Sequence, residues 1–305
     1  MNGIEIVSTG YAKIEKTLDN QQLEQMVETS NEWIVSRTGI LKRHLSDKSS
    51  AFLAIEAAKK ATQNQDLSQL ALIIVATMTP ENNTPSNACL VQKALGLNHQ
   101  SMMCFDINVA CSGYVYALKV AQSLLEENQY GLVIGSEQLS SIVDYQDRNT
   151  CILFGDGAGA VVVKAEEQGY CYMAAHSDGT KGEALVGSAK LFLKMNGQEV
   201  FKFAVRKVPE LILELTGKAG IRPEEVDHIV LHQANQRIIE AVARRLHLED
   251  SKFPVNLEKY ANTSAASIPV LLDEMNRMKI LKQGQSILLA GFGAGLTWAG
   301  CLFEW

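Results

Sequence analysis

Residues 104–125 read CFDINVACSGYVYALKVAQSLL, and the pattern changes part-way along. Cys104 to Val109 has the apolar character of a buried strand, whereas from Gly113 onward the spacing is helical. The change falls at Cys111, beside the small residues Ala110, Ser112 and Gly113. A thiol at the first turn of a helix meets unpaired N–H groups and the positive end of the helix dipole, which favour its thiolate. Small neighbours also let a substrate approach. A buried structural cysteine is the commoner fate of such a residue, so position alone leaves both readings open.

Outward from this stretch, short apolar runs alternate with amphipathic segments. ALIIVAT (71–77), MCFDINV, GLVIGSE, GAVVVKA, HIVLHQ and SILLAGFG read as strands. Residues 50–62, 85–95, 113–127, 200–216 and 235–246 read as helices, and Ser30 and Gly39 mark the start and stop of another around NEWIVSR. The alternation predicts an α/β protein with largely buried strands. The order of elements also occurs twice. ALIIVATM, CFDINVACSGYVYAL, GLVIGSE and FGDGAGAVVV are answered by DHIVLHQA, YANTSAASIPVLLDEM, SILLAGFG and AGLTWAGCLF. Two pseudo-symmetric halves follow, residues 1–168 with Cys111 and 169–305 with His232 and Asn262. Cys111 and Asn262 then stand at equivalent strand-to-helix corners. His232 ends the strand that answers ALIIVAT, and the ends of strands are where α/β sheets place their sites.

The 305 residues carry a formal charge of −6 and no basic block, which argues against nucleic acid as a partner. The first residues, MNGIEIVSTG, lack a signal-peptide pattern, and the apolar runs fall short of the ~20 residues of a membrane helix. The six cysteines show no CxxC pairing, as in reduced cytosolic proteins without a zinc or disulfide framework. A cytoplasmic protein is expected. FGDGAGA has neither the spacing nor the lysine of a phosphate loop and reads as a turn in a sheet.

Singly, His232 reads better as a core or loop histidine satisfied by a carbonyl, and Asn262 reads as an ordinary helix cap. Together with Cys111 they fit covalent acyl chemistry. A thiol takes an acyl group from a thioester; His and Asn donate hydrogen bonds to a second thioester as carbon dioxide leaves; the resulting carbanion attacks the acyl-enzyme. Backbone N–H groups near GFGAG would hold the oxyanion.

The motifs TSNEWIVSRTGI, NVACSGY, DRNTCILFGDGAGAVVV, MNGQEVFKFAV, LHQANQRI, KYANTSAASIP and GFGAGLTW occur in that order over nearly the whole chain. The set resembles the thiolase-fold condensing enzymes, most closely the β-ketoacyl-acyl carrier protein synthase III family that starts bacterial fatty acid synthesis. The resemblance implies a thiolase-like fold in αβαβα layers and a homodimer. It implies acyl-CoA and malonyl-acyl carrier protein as substrates, and no cofactor or metal beyond the coenzyme A thioester itself. It assigns Cys111, His232 and Asn262 as the catalytic triad, with the N–H groups of Cys111 and Ala294 as oxyanion hole. Trp33, Arg37 and Arg148 match residues gripping the adenine end of coenzyme A. Gly197 and Asn235 match contacts to the pantetheine arm, and Phe201 an aromatic beside the tunnel. Lys202, Arg237, Arg244 and Arg245, on two helices flanking the mouth, are the expected contacts for an acidic carrier protein, although a solvated helix face reads as well for Arg244 and Arg245.

Three departures stand out. Ala294 replaces the middle of a usual triple glycine. Thr84 stands where many members carry a phenylalanine contributed across the dimer, which predicts a roomier acyl pocket. The segment 176–195 is shorter than usual. Related enzymes priming a polyketide or secondary metabolite share the triad; a cysteine hydrolase and a silent scaffold are further alternatives.

Overall fold

A computed structural model describes residues 3–97, 101–167, 170–188 and 191–305. Strands β1 (Gly3–Tyr11), β2 (Leu70–Ala76), β3 (Met103–Ile107), β4 (Tyr130–Glu137) and β5 (Gly157–Glu166) form a five-stranded sheet in the order β1-β5-β4-β2-β3. Strands β6 (Cys171–Ser177), β7 (His228–Leu231), β8 (Ser286–Gly293) and β9 (Thr297–Glu304) form a four-stranded sheet in the order β6-β9-β8-β7. The two orders are the same apart from β3. Pairing repeats as well: β2 runs parallel to β4 as β7 does to β8, while β4 opposes β5 as β8 opposes β9. The expected boundary between 168 and 169 falls on residues outside those described.

Side chains on β2 alternate between two cores. Leu72, Ile74 and Ala76 face one, Ile73 and Val75 the other, and all five are fully buried. That explains the unbroken apolar run, because both faces of the sheet are covered. Burying a Leu or Ile this way is worth about 1.5–3 kcal/mol. Helices α1 (Asn31–Thr38), α2 (Ser50–Ala61), α3 (Asn87–Ala94), α4 (Gly113–Leu124), α5 (Gly197–Ala219), α6 (Gln236–Leu246) and α7 (Ser267–Arg277) complete the layers. α2 and α3 cover one sheet outside, α5 and α6 the other, and α4 and α7 lie between the sheets. This is the expected αβαβα arrangement. Ser30 caps α1 by accepting the Trp33 N–H, and Gly39 ends it at φ 80°. α5 is longer than its apolar period suggests, because Asn196 caps its start and Gly220 closes it at φ 72°.

The doubled frame sharpens one expectation and corrects another. Cys111 lies in a 3₁₀ turn, Ala110–Ser112, that leads into α4; a second 3₁₀ turn, Ser264–Ala266, leads into α7. The corners are equivalent, but the counterpart of Cys111 is Ala265, and that of Asn262 is Asn108. Each Asn accepts the N–H two residues on, from Ala110 or Ser264. The second half has no β3 counterpart among the described residues. Instead Asn262 makes a single parallel bridge to Phe154.

The two turns are pressed into the opposite sheets at glycines. A Cβ on Gly135 of β4 would lie 2.2 Å from the Ala265 carbonyl oxygen, and one on Gly291 of β8 would lie 2.9 Å from the Ser112 Cα. These glycines are also counterparts in the doubled frame. The glycines of FGDGAGA differ from the expected turn. They open β5, where a Cβ on Gly159 would meet the Val270 nitrogen of α7 at 2.6 Å. Gly135→Ala is therefore expected to destabilise the protein by about 1–3 kcal/mol or more, as overpacking does. Thermal unfolding should show a melting temperature lower by several degrees; an unchanged midpoint would contradict the close approach.

Candidate active site

Cys111 is 4% exposed. A Cβ on Gly293 would sit 2.9 Å from the Cys111 Cβ and 3.1 Å from its Sγ, so the end of β8 wraps the thiol closely. Burial pushes the thiol up to about 12, with the nearby Glu137 carboxylate adding to the shift and the Ser264 hydroxyl opposing it. Removal from water works against the thiolate, while the start of α4 works for it.

His232 follows β7 and is 1% exposed. Its ring contacts Phe292 edge-on, with centroids 5.3 Å apart. Nδ1 lies 2.6 Å from Ser267 Oγ at the start of α7. That hydroxyl oxygen also accepts the Gln233 N–H. A hydroxyl that donates to Nδ1 places the imidazole proton on Nε2. Burial pushes His232 down to about 3, so it is a neutral donor, not a cation, near neutral pH. Asn262 is held by its backbone to the neighbouring segment, N–H to the Leu153 carbonyl and carbonyl to the Gly155 N–H. Its Oδ1 accepts from the Ser264 N–H at 2.9 Å, which leaves the NH₂ group to donate.

The three side chains line one narrow cavity of about 90 Å³, together with Gly197, Phe201, Asn235 and Phe292. A second cavity, of about 300 Å³, lies on the other side of Cys111. Its walls include Met78, Leu139, Leu185, Val186 and Leu193, and Ala294 borders it. Cys111 belongs to both. Toward the surface, Arg148 and Arg37 lie 5.0 and 6.0 Å from the Trp33 ring centre. Asn235 links this cluster to the narrow cavity, donating from Nδ2 to the Arg37 carbonyl while its Oδ1 caps α6.

The C-terminal model of 3-oxoacyl-[acyl-carrier-protein] synthase III matches residues 217–305, and the synthase III model itself matches residues 105–179. The β-ketoacyl-[acyl-carrier-protein] synthase III of Caldanaerobacter subterraneus is 46% identical, over 98% of this chain and 97% of that protein. The chain belongs to the β-ketoacyl-acyl carrier protein synthase III family. The crystal structure of the synthase III from Aquifex aeolicus superposes with a TM-score of 0.95 at 43% identity, over 99% of this chain and 100% of that one. The Thermus thermophilus synthase III structure gives 0.93 at 39% identity, over 98% of each chain. The thiolase-like fold and acyl-transferring class expected from the motifs are those of the family.

Against the synthase III pattern, Ala294 causes no backbone strain, since its φ is not among the positive ones, whereas the following Gly295 sits at φ 129°. The short segment after β6 forms a 3₁₀ stretch, Gly179–Ala184, and a hairpin of Leu185–Ser188 with Leu191–Met195. It walls both cavities, through Leu185 and Val186 in the wide one and Leu185 and Met195 in the narrow one. Thr84 is exposed and lines neither cavity of its own chain. Of the expected carrier-protein contacts, Arg237 stands over the Phe201 ring at 5.8 Å, at the mouth. Lys202, beside Phe201 on α5, pairs with Glu199 at 3.3 Å. Arg244 and Arg245 occupy the last turn of α6, about 14–15 Å along the axis from Asn235 at about 1.5 Å per residue, and Arg244 leans on Glu240. Motif reading missed Ser267, whose hydroxyl is hydrogen-bonded to His232 Nδ1, and Glu137, an acid closing an apolar strand.

No helix among the described residues is long and apolar enough to cross a membrane, and no metal-binding cluster occurs among them. Because His232 resists protonation, folding loses stability as pH falls below the ordinary histidine value of about 6.5. ¹⁵N NMR of the imidazole should show one protonated nitrogen, Nε2, across the neutral range, and a tautomer mixture in Ser267→Ala. An imidazolium signal near pH 6 would contradict the assignment.

Proposed function

We propose that this chain performs the decarboxylative Claisen condensation of an acyl-CoA primer with malonyl-acyl carrier protein, initiating fatty acid synthesis. The observation that carries the reading is Cys111 standing where a narrow, donor-lined tunnel meets a wider apolar cavity. The tunnel suits a pantetheine arm; the cavity suits the acyl chain. Cys111 attacks the thioester carbon, with the N–H groups of Cys111 and Ala294 receiving the developing oxyanion, and coenzyme A leaves. Malonyl-carrier protein then enters the same tunnel. The Nε2–H of His232 and the NH₂ of Asn262 hold its thioester oxygen as carbon dioxide departs, and the enolate carbon attacks the acyl-Cys111. The steps are two acyl transfers and a decarboxylation with no change of redox state at the protein, so the proposed chemistry calls for no redox cofactor.

Trp33, Arg37 and Arg148 are assigned to the adenine end, where an indole and guanidinium groups stack and meet phosphates. Gly197, Phe201 and Asn235 guide the arm, and Arg237 with Lys202 receives the acidic carrier protein. We place the enzyme in the cytoplasm as a homodimer. β3 is an edge strand with no partner on its outer side among the described residues, and Met103 on it is 46% exposed, a surface that a second copy would cover. The exposed Thr84 would then close the partner's acyl cavity. A polyketide-priming role would use the same triad, but relatives at 45–46% identity over nearly the whole chain carry the synthase III name.

Intact mass spectrometry after brief exposure to a panel of acyl-CoAs should give one acyl adduct, absent from Cys111→Ala. No adduct with any acyl-CoA would sink the proposal. With threonine at position 84, medium or branched primers are expected to be turned over faster than acetyl-CoA, and Thr84→Phe to reverse that order. Acetyl-CoA equalling or beating every longer primer in the native enzyme would count against it. Trp33→Ala should raise KM for acyl-CoA by roughly 3- to 30-fold, the worth of a stacked cation and ring. Acylation from a truncated thioester lacking the nucleotide should be unaffected; an equal loss with both donors would remove Trp33 from the nucleotide site.

A further inference from the structure

Ser112 follows Cys111 in the 3₁₀ turn and is fully buried. Its hydroxyl lies 2.5 Å from the hydroxyl of Thr297, the first residue of β9. Thr297 Oγ1 also stands 2.8 Å from the Ala294 carbonyl, and Ser112 Oγ 3.0 Å from the Val109 carbonyl. Each hydroxyl has one proton to give. If Ser112 donates to Thr297, Thr297 donates to the Ala294 carbonyl. If Thr297 donates to Ser112, Ser112 donates to the Val109 carbonyl. In both directions the chain of bonds joins the turn that carries Cys111 to the loop, residues 294–296, that carries Ala294.

That link crosses between the two halves. β8 passes so close that a Cβ on Gly293 would stand 3.4 Å from the Cys111 nitrogen, and Ala294 is the next residue. On its outer side the loop is held by its own half, where Leu296 and Asp178 exchange N–H and carbonyl at 2.8 Å each way. On its inner side it is held to the first half by Thr297 and Ser112. Neither residue lines either cavity. The doubled frame offers a comparison. Thr297 pairs with Gly293 as Gly157 pairs with Glu137, so the counterparts of Ser112 and Thr297 are Ala266 and Gly157. There a Cβ on Gly157 would lie 3.8 Å from the Ala266 Cβ, an ordinary apolar contact. A buried pair of hydroxyls adds little net stability over such a contact, yet it stands in the half that holds the thiol.

We infer that the Ser112 and Thr297 hydroxyls are positioning groups for the oxyanion hole, fixing the Ala294 N–H against the Cys111 N–H during acyl transfer. The inference rests on Cys111 being the acyl carrier, with these N–H groups as its oxyanion hole, as proposed above. As Cys111 Sγ bonds to the thioester carbon, the second electron pair of the C=O moves to oxygen, between the two N–H groups. The pair then returns, the bond to the coenzyme A sulfur breaks, and the Cys111 proton leaves with coenzyme A as its thiol. The hydroxyls act through the backbone they hold and do not meet the substrate. Because the oxyanion exists only along the reaction path, a slack hole slows the transfer and leaves donor binding as it was.

Two reactions of Cys111 isolate this role. p-Nitrophenyl acetate acylates a thiol through an oxyanion and needs no coenzyme A, whereas iodoacetamide alkylates it at a saturated carbon, expelling iodide, and forms none. Thr297→Val keeps the shape and removes the hydroxyl. Its maximal rate of first-turnover p-nitrophenolate release should fall about ten- to a hundredfold, at an unchanged half-saturating ester concentration. Its alkylation, read by intact mass against Cys111→Ala, should keep the native rate. Ser112→Ala should behave likewise, and the double variant should lose no more than the worse single one, because the two hydroxyls form one link. Thr297→Ser should restore acylation. Equal losses of acylation and alkylation would mean that the pair acts on the thiol or the fold, and would overturn the inference. So would native acylation by Thr297→Val, losses that multiply in the double variant, or a native protein that releases no p-nitrophenolate. The expected profiles with no adduct from any acyl-CoA would leave the hydroxyl pair standing and remove the condensation.

Discussion

The close approach of two 3₁₀ turns at the centre of the molecule governs the rest of the structure. Each turn feeds a central helix, α4 or α7, and each is seated on a glycine of the sheet from the other half. Gly135 receives the Ala265 carbonyl, and Gly291 receives the backbone at Ser112. Without that contact the sheets would stand further apart, and Cys111, from the first half, would not share a cavity with His232 and Asn262 from the second. The site is an interface between two copies of one frame, and its dimensions are set by the absence of two Cβ atoms.

The doubled frame also shows how one geometry was made into two environments. His232 and Ser267 occupy the places that Ala76 and Gly113 hold in the other half, where a Cβ on Gly113 would touch the Ala76 side chain at 3.2 Å. A packing contact in one half is a hydrogen bond to the imidazole in the other. Likewise Cys111 answers Ala265, and Glu137 answers Gly293. The missing side chain at 293 admits the thiol, and the carboxylate at 137 fills the matching space beside Ser264. Reactive groups stand where the opposite half is small.

Much of this was legible in the sequence, for identifiable reasons. The period change at Cys111, the apolar run of β2 buried on both faces, and the Ser30 and Gly39 caps are local patterns that the structure retains. The recurrence of elements disclosed the two halves, and the motif set located Trp33, Arg148 and Asn235 together. What the sequence hid depends on three-dimensional neighbours. Nothing local to Cys111 states how completely it is removed from water. Ser267 looked like a helix residue, and Glu137 like the polar end of a strand.

The narrow cavity runs from Asn235, on the side of Trp33 and Arg37, to Cys111, and its volume of about 90 Å³ suits one extended arm at a time. On the proposed chemistry, coenzyme A must vacate before a malonyl-carrier arm can reach the acyl-enzyme. The acyl group, meanwhile, waits in the wide cavity. The two substrates cannot form a ternary complex, so the enzyme runs as a ping-pong catalyst. Free coenzyme A then contests the acyl-enzyme with the incoming carrier protein, and the ratio of the two in the cell becomes a brake on chain initiation that needs no separate regulatory site.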